Sequence, residues 1–272
     1  MKSADKKERS LKATNAVEND KVAQSGSQDE MRPRPPLHCG RMGTQTGEFN
    51  SSSRAQDQRI FWDQWHLRHT VASHTEHSLL AIRTFVRALG YTPGVSVLEL
   101  GCGQGREAVS LVERGFRVSA LDYSPIAIAA ARDNARSAGV TITFLEHDAT
   151  NPFPYHDSTF DGVFSHLSLH YFDDAKTRQV FDEIARVLAP EGTLFFTVRA
   201  TSDPLYGQGE SLGGNMFQLK GHVRHFFDED YVKDVLASWN IKFVQVYDTK
   251  NQAINPGVFL RVLATKPRDM GE

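Results

Sequence analysis

The chain has 272 residues, 40% of them hydrophobic and 24% charged, enough for one large α/β domain with a filled core or for two small ones. A formal charge of −2 hides a split: residues 1–54 hold 10 Lys and Arg against 7 Asp and Glu, so the remainder is acidic, which counts against tight binding to a phosphate backbone. Two cysteines, Cys39 and Cys102, suit a reducing compartment, and no apolar run approaches the ~20 residues that span a bilayer; the cytoplasm is the expected location.

Residues 1–54 are rich in Ser, Gln, Asn, Lys and Glu, with almost no large apolar side chain, and are expected to be a disordered leader. Residues 55–272 are then the domain. It opens with Phe61, Trp62 and Trp65, spaced to share one helical face, followed by a helix over His77–Leu89 that Gly90 ends. Strand and helix signals alternate from there. Ser96–Leu100 reads as a strand, Glu107–Arg114 as a helix, Phe116–Leu121 as a strand and Pro125–Ser137 as a helix. Thr141–Leu145 and the segment around Gly162–Phe164 are strands. Ala175–Leu188 is an amphipathic helix, Thr193–Val198 a strand and Glu229–Ala237 a helix. Ile241–Tyr247 and Val258–Ala264 are strands with no helix between them, so they can pair as a hairpin. Such alternation predicts a doubly wound, mostly parallel seven-stranded sheet with helices on both faces.

Glu99-Leu-Gly-Cys-Gly-Gln-Gly105 leaves the first strand and enters a helix. A dinucleotide turn would need glycine where Arg106 stands, and no G-x-x-x-x-G-K-[ST] run is present. The Glu99 carboxylate would disfavour a diphosphate and suit a cation. Asp122 ends the second strand, placed to accept ribose hydroxyls, and Asp148 closes the third, placed to accept from an exocyclic amine. A phosphate-free adenosine bearing positive charge fits these features together.

At this point the chain resembles the class I S-adenosylmethionine-dependent methyltransferases, of the small-molecule kind with type 11/25 domains, over approximately residues 61–266. VLELGCGQG, ALDYSP, HDATNPFPYHDSTFDGVFSHLSLHY and ARVLAPEGTLFFTV are similar to that family's successive motifs. The resemblance implies strand order 3-2-1-4-5-7-6 with the seventh strand antiparallel, and S-adenosylmethionine as cofactor. It implies that Gly101, Cys102 and Gly103 meet the methionine part, that Asp122 holds the ribose, that Tyr123 packs on adenine, and that Asp148 and Ala149 read its edge. Glu99 and Ser165 belong to the same expected set. Gly105 serves the ligand or only helix–strand packing, and Glu99 binds the ligand or only caps backbone amides.

Three histidines are candidates for proton transfer: His166 and His170 after the fourth strand, and His225 in Lys220-Gly-His-Val-Arg-His-Phe-Phe227. His166 and His170 are not H-E-x-x-H, since Leu167 stands second, and their alternative is to line the cofactor pocket. Arg224 or Lys220 could bind an acidic group of the acceptor while His225 deprotonates it, or the cluster only pins a lid whose YGQGESLGGN stretch is expected to be mobile. Asp173 and Asp174 follow the fourth strand, but Arg199-Ala-Thr follows the fifth, so no metal is expected. The expected reaction is methyl transfer to a small-molecule N, O or S acceptor, by a monomer or a homodimer. The rivals are an RNA or protein methyltransferase using the leader as an arm, which the acidic body and the missing N-P-P-[YF] motif disfavour, and a non-catalytic cofactor-binding module.

Overall fold

The computed structural model describes residues 51–69, 74–90, 92–249 and 256–268, with side chains from Gln58 onward. The leader through residue 50, Cys39 with it, and Asn255 lie outside the described residues. Helix α1 (Ser51–Arg68) begins inside the stretch read as leader and carries the expected aromatic run.

Seven strands form the main sheet: β1 (Ser96–Leu100), β2 (Arg117–Asp122), β3 (Thr143–Glu146), β4 (Phe160–His166), β5 (Leu188–Arg199), β9 (Asn240–Asp248) and β10 (Val258–Thr265). Their order is β3-β2-β1-β4-β5-β10-β9. The first five are mutually parallel, and β10 runs antiparallel to both β5 and β9. This is the expected topology, with the closing hairpin inserted so that its second strand meets β5. β5 starts five residues earlier than its apolar run suggests. Leu188 already pairs with Phe160, and the intervening Pro190-Glu191-Gly192 is absorbed by a register shift with Glu191 at φ 61°.

Alternate residues of the strands feed two cores. On one face α2 (Glu76–Leu89), α3 (Arg106–Val112) and α4 (Pro125–Ala138) pack Phe85, Leu111 and Ala131 against Val97, Phe164 and Phe195. On the other, α5 (Asp174–Val187) and α6 (Glu229–Val235) pack Phe181, Ile184 and Val232 against Leu98, Val163 and Phe196. Each fully buried Val, Leu, Ile or Phe among them contributes about 1.5–3 kcal/mol. The helices start on side-chain caps: Thr75 accepts from Ser78 N at 3.0 Å, Ser124 from Ala127 N at 3.1 Å, and Asp173 from Lys176 N at 2.9 Å.

The β5–α6 connection, expected to be a mobile glycine-rich lid, instead folds as a three-stranded antiparallel sheet. It consists of β6 (Glu210–Gly213), β7 (Met216–Leu219) and β8 (His222–His225). Gly213, Gly214 and Asn215 all have positive φ, so the glycines serve a tight hairpin turn rather than looseness. No helix among the described residues is long and apolar enough to cross a membrane.

Candidate active site

The carboxyl ends of β1 to β5 open into a crevice of about 1470 Å³, roofed by α1 and by the β6–β8 sheet. At its first wall the chain turns sharply after β1. Gly101 N and Cys102 N both donate to Leu121 O, at 2.8 and 3.0 Å, and Gly105 N donates to Cys102 O at 2.8 Å. Gly101 sits at φ +69°, and a Cβ there would fall 2.2 Å from Ser168 Cβ. Ser168 in turn donates to Leu100 O at 2.9 Å and shares a 2.6 Å hydrogen bond with Ser165. Gly101 thus lets the turn after β4 close on the turn after β1. Gly105 does the same for α4 and β3, since its Cβ would press on Ala131 and Phe144; its packing role is the one the geometry supports. Gly103 differs, because a Cβ would meet only His66 of the roof at 3.4 Å.

Asp122 lies on the crevice floor. Its Oδ2 accepts from Gly103 N at 2.8 Å and its Oδ1 from Ser124 N at 2.9 Å. Burial pushes its pKa up to about 6 in spite of those backbone donors. Glu99 is fully buried behind the wall, its Oε2 has no hydrogen-bond partner, and burial raises its pKa well above the carboxylate range. Glu107 lines the crevice beside Glu99. Burial pushes its carboxyl up, but the hydrogen bond of His74 and the charges of His166 and Arg106 outweigh that and bring it to about 2. Glu107, Asp122, Glu146 and Asp148, with Asp63 above, line this half of the crevice beside Arg59 and Arg106. Asp148 stands two residues beyond β3, which ends at Glu146 rather than at Asp148, and its Oδ1 accepts from Thr150 N and Oγ1.

Helix α1 is strapped across the opening at both rims. Tyr123 Oη donates to Gln58 O at 3.0 Å, Ser124 Oγ to Asp63 at 2.5 Å, and Arg59 pairs with Glu146. On the far side Val223 N of β8 donates to Gln58 Oε1 at 3.1 Å. Trp62 closes the middle, 5.4 Å from the rings of both Tyr171 and His222.

Past β4 and β5 the lining turns aromatic and cationic. His166 Nδ1 is bonded to Thr197 Oγ1 at 2.8 Å, and burial lowers its pKa. His170 is buried with Nδ1 unpartnered, and burial followed by the charges of Arg199 and Arg224 holds it neutral. Burial also takes Tyr171 up to about 12 and His222 down to about 3, the latter helped by Arg224 and Arg199. Arg199 is held by Asp203 at 2.6 Å, and Asp203 also accepts from Val258 N and Leu205 N. Asp173 caps α5 and Asp174 pairs with Arg178.

The crevice therefore gathers Gly101, Cys102, Gly103, Asp122, Tyr123, Asp148, Ala149, His166 and His170. Glu99 and Ser165 stand behind its wall. His225 does not line the crevice: in the strand its side chain points opposite to those of His222 and Arg224, and its Nδ1 bonds to Phe172 O at 3.0 Å while its ring packs on Phe227 and Tyr231. It pins the small sheet to the body, and Lys220 is exposed in the β7–β8 turn. Gln58, Glu107, Thr197 and Arg199 escaped sequence reading. Each is an ordinary residue type in an ordinary context, placed by partners distant in the chain.

Residues 97–192, from β1 into the start of β5, match the methyltransferase domain family. The chain carries a class I methyltransferase domain. Among relatives of this domain, the malonyl-[acyl-carrier protein] O-methyltransferase of Salmonella typhimurium is 28% identical over 62% of this chain and 62% of its own length. The demethylmenaquinone methyltransferase of Thermus thermophilus is 37% identical over 36% of this chain and 44% of its own. The chain spans less than two-thirds of the lengths of the curated relatives it matches first. In fold the methyltransferase domain is similar to the 1,6-didemethyltoxoflavin-N1-methyltransferase of Burkholderia thailandensis, solved with 1,6-didemethyltoxoflavin and S-adenosylhomocysteine. The TM-score is 0.64 at 19% identity, covering 82% of this chain and 93% of that one.

Proposed function

We propose that this protein transfers the methyl group of S-adenosylmethionine to an N, O or S atom of a small molecule. The observation that carries the reading is Asp122 on the floor beside the Gly101–Gly103 turn. It is a buried carboxylate at a strand end, with no phosphate cradle near it and further acids around it. This donor set fits the cofactor: Asp122 for the ribose hydroxyls, Gly101–Gly103 for the amino-acid part, Tyr123 for the adenine face, and Asp148 with Ala149 for its edge.

The cofactor supplies an electrophilic methyl on a cationic sulfur. The protein's share is to hold the acceptor atom in line and dry, which α1 and the β6–β8 sheet do by covering the crevice. His166 is fixed by Thr197 and orients the acceptor side of the floor. His170, which lines the crevice with Nδ1 unpartnered, is the group placed to take a proton from an acceptor that arrives protonated. A roofed crevice, and relatives whose names include demethylmenaquinone and didemethyltoxoflavin methyltransferases, favour a small acceptor.

Calorimetric titration with S-adenosylhomocysteine tests this, using folded wild-type protein and Asp122→Asn. Binding by wild type, weakened about tenfold or more in the variant, is expected, because a carboxylate accepting from hydroxyls is replaced by a neutral amide. No heat from wild type with either cofactor form would sink the reading.

A further inference from the structure

We infer that the methyl acceptor is a planar small molecule carrying a carboxylate, and that Arg224 and His222 of β8 recognise that carboxylate. The inference rests on the methyl-transfer reading and names the substrate class of the same crevice.

Charge in the crevice is uneven. Glu107, Asp122, Glu146 and Asp148 line the β1–β3 end together with Arg59 and Arg106, while Arg199 and Arg224 lie at the β5–β8 end, with Asp173 and Lys176 between. The two arginines differ in their partners. Arg199 is neutralised by Asp203, whose oxygens are further occupied by Val258 N and Leu205 N. Arg224 has no ion pair among the described residues. Its Nη2 donates at 2.9 Å to the ring of a neutral histidine, His222, and its Nε is buried without a hydrogen-bond partner. Burying a cation against a neutral partner is unfavourable unless something else supplies the negative charge.

The same contact fixes the proton on His222. A guanidinium only donates, so Nδ1 accepts and the ring proton sits on Nε2. That Nε2 is also buried and unpartnered. Low basicity keeps the ring in this neutral form. Residues 222 and 224 are two apart on one strand and so present their side chains to the same face. Arg224 Nε and His222 Nε2 are thus two buried N–H donors without acceptors on one face of β8. A carboxylate supplies acceptor oxygens and the negative charge that Arg224 lacks. Flat walls surround the pair: the Tyr171 ring stacks on His222 at 5.2 Å and 22°, and the Phe61 ring lies 4.2 Å from it. Such walls accept an aromatic or conjugated skeleton.

The test uses the protein saturated with S-adenosylhomocysteine, titrated calorimetrically with benzoate and salicylate and with their neutral counterparts benzamide and salicylamide. The acids are expected to bind at least about tenfold more tightly than the amides, as for a hydrogen bond to a charged group. Arg224→Gln should abolish that ratio, whereas Arg224→Lys, which keeps the charge, should retain part of it. Neither change should alter S-adenosylhomocysteine affinity. Equal affinities of acid and amide, no binding of either at millimolar concentration, or a ratio that survives Arg224→Gln would overturn the inference and leave methyl transfer standing. Failure of S-adenosylhomocysteine itself to bind would bring down both.

Discussion

Replacing His77 by phenylalanine should make the protein markedly less sensitive to acid. His77 is 3% exposed, stacked at 4.8 Å and 9° on Tyr247 and at 4.9 Å on Phe259, with Nε2 unpartnered. Burial, then the neighbouring His166 and Arg261, takes its pKa down to about 2 against Glu107, which pulls the other way. An unfolded chain therefore binds a proton at this residue below its ordinary value of 6.5, and the folded one does not until about 2. Between those values the unfolded state holds more protons, so the stability owed to this site is intact above 6.5 and declines as pH falls. One unit is worth about 1.4 kcal/mol, so the loss near pH 5 is about 2 kcal/mol. Phenylalanine keeps the stack and removes the titration. Urea unfolding followed by circular dichroism, at about pH 7 and about pH 5, should show the variant gaining about 2 kcal/mol on wild type at the lower pH, whatever their difference at the higher. The same difference at both values would refute the assignment of His77 as a buried neutral base. His77 does not line the crevice, so cofactor affinity should be unchanged.

Gly101→Ala should destabilise by several kcal/mol, on the order of 3, through the clash with Ser168 and the positive φ. Adding Ser168→Gly should recover the clash part and leave the backbone part, which a double-mutant cycle of unfolding energies separates. Asp122 titrates near 6, so S-adenosylhomocysteine affinity should hold above that pH and weaken by up to about tenfold per unit below it, as the carboxylate is protonated. Asp122→Asn should flatten that profile in the same calorimetry. Arg59→Ala removes an ion pair whose partners are 43% and 47% exposed, and thermal melts should register less than about 1 kcal/mol. Ser124→Ala, which cuts the tie to Asp63 on α1, should raise the off-rate of S-adenosylhomocysteine in stopped-flow fluorescence.

Much of the frame was legible in local pattern. The short apolar strands, the capped helices and the Glu99–Gly105 turn are each written within a dozen residues, and their order alone implies the parallel sheet. Asp122 was legible because a strand end followed by Tyr-Ser-Pro fixes where its side chain lies. The roof was not. YGQGESLGGN reads as loose chain because glycine marks both looseness and tight turns, and only pairing with 222–225 decides between them. The parity of that strand, invisible beforehand, puts His222 and Arg224 at the crevice and His225 behind it. Gln58 carried no signal at all, since its importance lies in partners 65 and 165 positions away.

That glutamine couples two events that are separable in an open cleft. Its carbonyl engages the nucleoside rim through Tyr123, and its side chain engages the small sheet through Val223. Whatever loosens one rim loosens the other. On the proposed function, exchange of spent donor and departure of methylated product would share one gate, and a compound wedged at the β8 end would retard turnover by trapping the demethylated cofactor behind it.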